Sequence, residues 1–294
     1  MTDRYQHITV LGTGVLGSQI IFQTAYSGYE VVAYDVSDEA LAKLPARWEQ
    51  LSGYYRRDLD ASDERLAETV ARIRPSSDLA DAVKEADLVI ESVPEVLEIK
   101  KDTYRTLSEV APERTVFASN SSTLLLSDMV DAVDRPEKFL ALHFANNIWK
   151  QNTAEVMRHD RTADDVFESL VEFAESIGMV PIRVLKEQPG YVLNTLLVPL
   201  LNAAAALVLK GVADPKTVDL TWRVATGAPN GPFQILDVVG MVTPYNLAMA
   251  RAAQDPGAAA WAQYLKVNYI DQGKLGKASG EGFYKYDADG NIVE

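Results

Sequence analysis

The 294-residue chain contains no cysteine. That absence excludes disulfides, zinc–thiolate sites and a cysteine nucleophile. Histidine is nearly as scarce. Only His7, His143 and His159 occur, well apart in the sequence, so a multi-histidine metal site is not expected and no metal is assigned. Cations are in the minority, with 28 Lys and Arg against 42 Asp and Glu and a net charge of −14. Nucleic-acid phosphates are bound by clustered Lys and Arg, so this balance argues against DNA or RNA as the main partner. A small phosphorylated ligand held by local groups stays open. The N-terminal MTDRYQHITVLGTG lacks the basic-then-apolar layout of a signal peptide, so a cytoplasmic location is expected. One uncharged stretch, YVLNTLLVPLLNAAAALVL (191–209), invites a membrane reading. Asn194, Pro199 and Asn202 interrupt it and no aromatic and basic flanks frame it, so a buried helix is expected instead.

What is present is a globular core. Hydrophobic residues make up 47% of the chain, ample for a folded protein of one large or two smaller domains. HITVLG, EVVAYD, ADLVIESV, TVFASN, FLALHFA and MVPIRVL read as strands. Between them lie helical patterns: a charged one from Glu39 to Lys84, then EVLEIKKDTYRTLSEVA, the short TLLLSDMVDAV and ADDVFESLVEFAESIG. Ser62, followed by two acids, marks a helix start. Alternating strands and helices predict an α/β, Rossmann-like domain with a mostly parallel, doubly wound sheet. Pro189-Gly190 then breaks the chain, and the remainder is helical until GFYKYD near the end. The expected organisation is a nucleotide-binding domain over 1–185 and an all-α domain over 186–294.

Gly12, Gly14 and Gly17 fit G-x-G-x-x-G. Alone the pattern is weak. Here it follows a strand, opens a helix, and is followed by an acid, Asp35, at the end of the next strand. Gly12 allows the tight turn, Gly14 lets the backbone approach a pyrophosphate, and Gly17 lets the helix pack close to the strand. The helix N-terminus adds N–H groups and a positive dipole end. Asp35 suits ribose hydroxyls and would repel a 2′-phosphate, which favours NAD over NADP; the glycines alone also admit FAD.

The stretch HFANNIWKQNTAEVM (143–157) places His143 twelve residues before Glu155, with asparagines between. By itself it is compatible with a catalytic His–Glu pair or with a polar loop that holds a histidine. His159, in MRHDRTADD, is expected to be solvated, and His7, at a strand start, to be structural.

Several segments together resemble the 3-hydroxyacyl-CoA dehydrogenase family: VLGTGVLGSQI, DLVIESVPE, TVFASNSSTL, HFANNIWKQNTAE, QPGYVLNTLLVPLLNAA, GPFQILDVVG and GEGFYKY, in the family's order and near its spacing. The resemblance implies an NAD-dependent dehydrogenase that oxidises a short 3-hydroxyacyl-CoA, such as 3-hydroxybutanoyl-CoA, to the 3-oxoacyl-CoA. It further implies a helical C-terminal domain that forms a homodimer. Carried over by motif, it makes His143 the catalytic base, Glu155 its partner, and Ser122 and Asn194 the groups that hold the substrate. It also implies that Glu95, Lys100 and Asn146 contact the cofactor. A nucleophilic role for Ser122 finds no G-x-S-x-G context.

Two departures bear on the substrate. The family's HFFNP continues here as a more polar run, 147–153, with Trp149 and Lys150. The family's lysine-rich helical insertion, which contacts coenzyme A, is here acidic as well as basic, holding Lys43, Arg47, Arg56 and Arg57. Tyr54 and Tyr55 beside those arginines fit either adenine stacking or an ordinary amphipathic helix. A dehydrogenase of a free small hydroxy acid or hydroxylated amine is therefore the alternative. A non-catalytic NAD sensor is a third possibility, disfavoured by the joint presence of His143, Glu155, Ser122 and Asn194.

Overall fold

Short apolar runs punctuated by Gly, Pro and charged residues build the strands of the computed structural model, which describes residues 4–288 and 290–293. The described chain divides after Val192 into two units. In the first, the elements are β1 (His7–Leu11), α1 (Val15–Tyr26), β2 (Glu30–Tyr34), α2 (Asp38–Leu41), α3 (Leu44–Leu59), α4 (Asp63–Ala71), β3 (Ile73–Ser76), α5 (Leu79–Val83), β4 (Leu88–Glu91), α6 (Leu97–Val110), β5 (Val116–Ser119), β6 (Phe139–Phe144), β7 (Thr153–Met157), α7 (Asp164–Ser176) and β8 (Val180–Val184).

The eight strands lie in the order β3-β2-β1-β4-β5-β6-β7-β8. Every pair is parallel except β6 with β7. The order reverses between β1 and β4, and ligands bind such sheets beyond the carboxyl ends of the strands at that point. Strand residues alternate between two cores. Leu140 and Leu142 face the cluster with Ile20, Phe22, Trp48 and Phe173, while Phe139 and Ala141 face the cluster with Tyr104, Leu107 and Tyr191. Both faces are thus covered, as the near-continuous apolar runs required. Ser62 caps α4 by accepting the Arg65 N–H at 3.2 Å.

Two strands were absent from the sequence expectation. β3 lies inside the stretch read as helical; it is four residues long, carries Arg74 and Pro75, and pairs only with β2. Proline is tolerated there because an edge strand need not donate on both sides. β7 has a glutamate at its centre and lies within the 143–157 stretch, where no strand after Phe144 was expected. TLLLSDMVDAV forms two 3-10 turns, Leu126–Asp128 and Val130–Ala132, in place of a helix.

The second unit contains α8 (Leu193–Leu209), α9 (Pro215–Thr226), α10 (Pro232–Val239), α11 (Val242–Arg251) and α12 (Pro256–Asn268) around Phe233, Leu236, Trp261 and Phe283. GFYKYD makes isolated bridges, Glu281 with Lys285 and Tyr286 with Ile292, where a strand was expected. Two buried carboxylates organise this unit. Asp219 accepts the N–H groups of Phe233 and Gln234, in the first turn of α10. Asp237 accepts those of Phe283 and Tyr284. The stretch read as a buried helix is α8, of which only Ala204 and Ala205 are buried while Leu196 is 69% exposed. Among the described residues no helix is long and apolar enough to cross a membrane.

Candidate active site

The glycine loop joins β1 to α1. Gly12 sits at φ 94°, where a Cβ would lie 2.3 Å from the Ser92 carbonyl oxygen; at Gly17 a Cβ would lie 2.0 Å from that of Gly12. Both positions are closed to any side chain. Gly14 differs: a Cβ there meets nothing within 4 Å. It is also the N-cap of α1 and supplies no side-chain cap, so the first-turn N–H groups face an open cradle. That is the fit a pyrophosphate needs. Asp35 Oδ2 accepts the Thr13 N–H (2.9 Å) and hydroxyl (2.7 Å), and Oδ1 accepts the Ser37 N–H (3.1 Å). These bonds tie the end of β2 to the loop and leave one lone pair, on Oδ1, for a ribose hydroxyl.

His143 and Glu155 are directly opposite each other in the antiparallel β6–β7 pair. Directly opposed residues project to the same face, so the twelve-residue spacing becomes a contact, Nδ1 to Glu155 Oε2 at 3.0 Å. A carboxylate only accepts, so Nδ1 carries the proton and Nε2 presents its lone pair. Ser122 Oγ lies 3.0 Å from that Nε2. The other Glu155 oxygen accepts the Val192 N–H at 2.9 Å. His143 and Glu155 are both buried. The arrangement can accept a proton at Nε2 while holding the resulting imidazolium against a carboxylate.

Tyr191, which the sequence reading left unassigned, stacks on His143 with ring centroids 4.5 Å apart and planes 14° from parallel. Its hydroxyl donates to the Ser121 carbonyl at 2.7 Å, and its backbone sits at φ 54°, an uncommon conformation for a bulky residue. Burial and then the Glu155 charge push its phenol well up, so it stays neutral.

Glu95 also meets the Ser122 turn, with Lys100 behind it. Glu95 Oε2 is 3.3 Å from Lys100 Nζ, which lies 2.5 Å from Glu91 Oε1. Lys100 is 1% exposed and Glu91 0%. Burial works to raise the Glu95 carboxyl, but the Ser121 hydroxyl, the Lys100 charge and the Thr123 donors outweigh it and hold it at about 2. Asn146 is exposed in the β6–β7 connection, and Asn194 is half-buried in the first turn of α8, in the second unit.

The polar run that departs from the family motif, 147–153, lies in that β6–β7 connection (145–152) and the first residue of β7. Two helices hold it. Gln19 of α1 accepts the Asn147 N–H at 2.7 Å. Trp149 is 8% exposed; its Nε1 donates to Asp58 Oδ2 of α3 at 2.9 Å, and its ring stacks on Tyr54 at 5.2 Å. The Arg57 guanidinium foremost, with Trp149 and Lys150, holds the Asp58 carboxyl well below the usual range. Tyr55 is fully buried and donates to Gln23. Both tyrosines therefore serve packing rather than an exposed adenine shelf. His159 is likewise buried, not solvated: Nε2 meets the Pro136 carbonyl at 3.1 Å and Nδ1 accepts the Arg161 N–H.

The family description "3-hydroxyacyl-CoA dehydrogenase, NAD binding domain" matches residues 7–188, and "3-hydroxyacyl-CoA dehydrogenase, C-terminal domain" matches residues 190–286. The mitochondrial hydroxyacyl-coenzyme A dehydrogenase of Rattus norvegicus is 34% identical over 96% of this chain and 91% of its own. A probable 3-hydroxybutyryl-CoA dehydrogenase of Deinococcus radiodurans is 32% identical over 94% of this chain and 99% of its own. A solved diketoreductase, described in terms of substrate-directed dual catalysis of dicarbonyl compounds, is 55% identical with a TM-score of 0.93, covering 97% of this chain and all of that one. With both domain matches spanning nearly its whole length, this chain belongs to the 3-hydroxyacyl-CoA dehydrogenase family of oxidoreductases, and its cofactor is NAD.

Proposed function

We propose that this enzyme interconverts a secondary alcohol and a ketone placed β to a second carbonyl, on small substrates that carry no coenzyme A. NAD supplies the hydride acceptor, and NADH the donor. His143 Nε2 takes the hydroxyl proton in oxidation and returns it in reduction. Glu155 keeps the ring in the tautomer that leaves Nε2 open, and offsets the charge when both nitrogens are protonated. Ser122 holds the substrate oxygen beside Nε2, Tyr191 fixes the ring from one face, and Asn194 contributes a further substrate contact. Glu95, Lys100 and Asn146 are assigned to the cofactor side, with the glycine loop and Asp35. The region 1–185 carries the cofactor, and 186–294 serves the substrate and forms a homodimer; the exposed apolar side of α8 supports that last assignment.

The observation that carries the substrate class is the state of the helical insertion. Between residues 39 and 70 there are seven acids and five bases. The arginines are already engaged: Arg47 to Ser18, Arg56 to Asp63 and Arg57 to Asp58. A coenzyme A tail would bring several phosphate charges to a segment that is net negative, which repels it. The likeness to the diketoreductase supports the same reading. The short 3-hydroxyacyl-CoA reading is the second, favoured by what the curated relatives are called.

The test is NADH oxidation with pentane-2,4-dione, free acetoacetate and acetoacetyl-CoA side by side. A free dicarbonyl is expected to exceed acetoacetyl-CoA in kcat/KM by at least about tenfold, one group's worth of electrostatic discrimination. The reverse order establishes the acyl-CoA reading, and NADH binding without any turnover revives the sensor. Under each productive substrate, His143→Gln is expected to fall below about a tenth of wild-type activity while still binding NADH.

A further inference from the structure

The turn that carries Ser122 leaves β5 and precedes the 3-10 turn Leu126–Asp128. Four donors from three consecutive residues converge on one oxygen. Glu95 Oε1 accepts the Ser121 hydroxyl (2.6 Å), the Ser122 N–H (3.0 Å), the Thr123 N–H (2.8 Å) and the Thr123 hydroxyl (2.9 Å). A carboxylate oxygen has two lone pairs, so protein donors saturate Oε1. The other oxygen is held by Lys100. Lys100 in turn is anchored by Glu91, whose Oε2 accepts from Ser119 Oγ at 2.8 Å and Tyr104 OH at 3.1 Å. A buried chain of bonds thus runs from the floor of β4 and β5 up to the turn.

We infer that Glu95 is a positioning residue for Ser122: its carboxylate fixes the 121–123 turn so that Ser122 Oγ stays beside His143 Nε2. This rests on the reading of Ser122 and His143 given above, and it adds a second carboxylate to the proton-handling pair. Glu155 holds the imidazole and Glu95 holds the hydroxyl. A residue whose business is the cofactor alone would have no reason to bind the Ser122 backbone.

Two substitutions separate position from charge. Glu95→Gln loses the charge but keeps an amide oxygen at the same reach. Glu95→Asp keeps the charge and withdraws it from the turn by one methylene. Steady-state kcat, KM and the NADH dissociation constant are measured for both, alone and with Ser122→Ala. Displacing a reacting group by an ångström costs up to about 100-fold, so Glu95→Asp is expected to lower kcat by about 10- to 100-fold. Glu95→Gln is expected to stay within about fivefold of wild type, because the neutral acceptor is weaker but correctly placed. NADH affinity is expected to weaken in both variants, since Glu95 is also assigned to the cofactor side, so kcat is compared at saturating NADH; Glu95→Asp is expected to add less than about threefold to Ser122→Ala, as coupled residues do.

The opposite ranking, Glu95→Gln severe and Glu95→Asp mild, overturns the inference in favour of a purely electrostatic role. Retained kcat at saturating NADH, with only NADH affinity lost, overturns it and leaves Glu95 a cofactor contact alone. An undiminished Glu95→Asp effect in the Ser122→Ala background overturns it as well. If Ser122→Ala alone keeps wild-type kcat, the reading of Ser122 fails and takes the inference with it; if Ser122→Ala is impaired and Glu95→Asp is not, the inference alone fails.

Discussion

Replacing Trp149 by phenylalanine tests whether the β6–β7 connection is held by α3. Phe keeps an aromatic ring for the stack on Tyr54, at 5.2 Å and 12° from parallel, and loses the indole N–H to Asp58. A hydrogen bond to a charged group contributes about 1.5–3 kcal/mol. Asp58 keeps its paired bonds from Arg57, so its carboxylate is not stranded and the lower end of that range applies. The missing indole atoms leave a small void in a site only 8% exposed, worth about 1 kcal/mol more. Trp149→Phe is therefore expected to destabilise by about 2–3 kcal/mol, against about 3–5 for Trp149→Ala, which also removes the stack.

The assay is urea unfolding followed by circular dichroism, with a double-mutant cycle against Asp58→Ala, which removes the acceptor. The cycle is expected to return a coupling of about 1–2 kcal/mol, since the two residues share one bond. Hydrogen exchange at residues 145–152 should speed up in Trp149→Phe while that of α6 stays unchanged, because a loosened tether opens locally. A Trp149→Phe loss under about 0.5 kcal/mol, with Asp58→Ala fully additive, would refute the tether.

Gly17→Ala puts a methyl 2.0 Å from the Gly12 carbonyl oxygen and is expected to destroy the loop, whereas Gly14→Ala meets no atom within 4 Å and should fold with wild-type stability. Calorimetric titration should nevertheless show Gly14→Ala binding NADH at least about tenfold more weakly, because its methyl fills the space a pyrophosphate approaches. In the second unit, burial pushes the Asp237 carboxyl up against the donors of Phe283, Tyr286 and Tyr284. As pH rises past the ordinary carboxylate value of about 3.9, the unfolded chain ionises first, so stability falls with pH through that window. Asp237→Asn should flatten that limb of the pH–stability curve; an unchanged slope would assign it to other groups.

The Rossmann-like alternation of strands and helices was legible because it rests on local signals: apolar runs bounded by turn residues, and glycines where only glycine fits. β3 and β7 were not, and for different reasons. β3 is a strand only because β2 offers it a neighbour; its Arg74 and Pro75 carry no strand signal. β7 hides because its central Glu155 breaks the apolar run, and a buried glutamate makes sense only once His143 lies across from it. The same logic governs the site. Ser122, His143 and Glu155 could be named from motifs, but their bonds follow from strand register and a turn. Tyr191 and Glu91 act through contacts between residues 48 and 28 positions away, to His143 and Ser119, which no local pattern announces. His159 misled because charged neighbours in sequence say little about which carbonyl a ring will meet.

The two departures from the family look independent in sequence, a polar connection at 145–152 and an insertion rich in acids as well as bases. In the structure they are one contact. Trp149, from the first, is received by Asp58 and Tyr54, from the second. Asp58 also occupies Arg57, at 2.7 Å, so one carboxylate both anchors the connection and neutralises a cation that a phosphate would need. Asp58 therefore both weakens the insertion for phosphate and holds the connection that follows His143. On that account Asp58→Ala should shift preference toward the acyl-CoA substrate while raising KM for a free dicarbonyl. Loss of both activities together would mean that Asp58 matters only for folding.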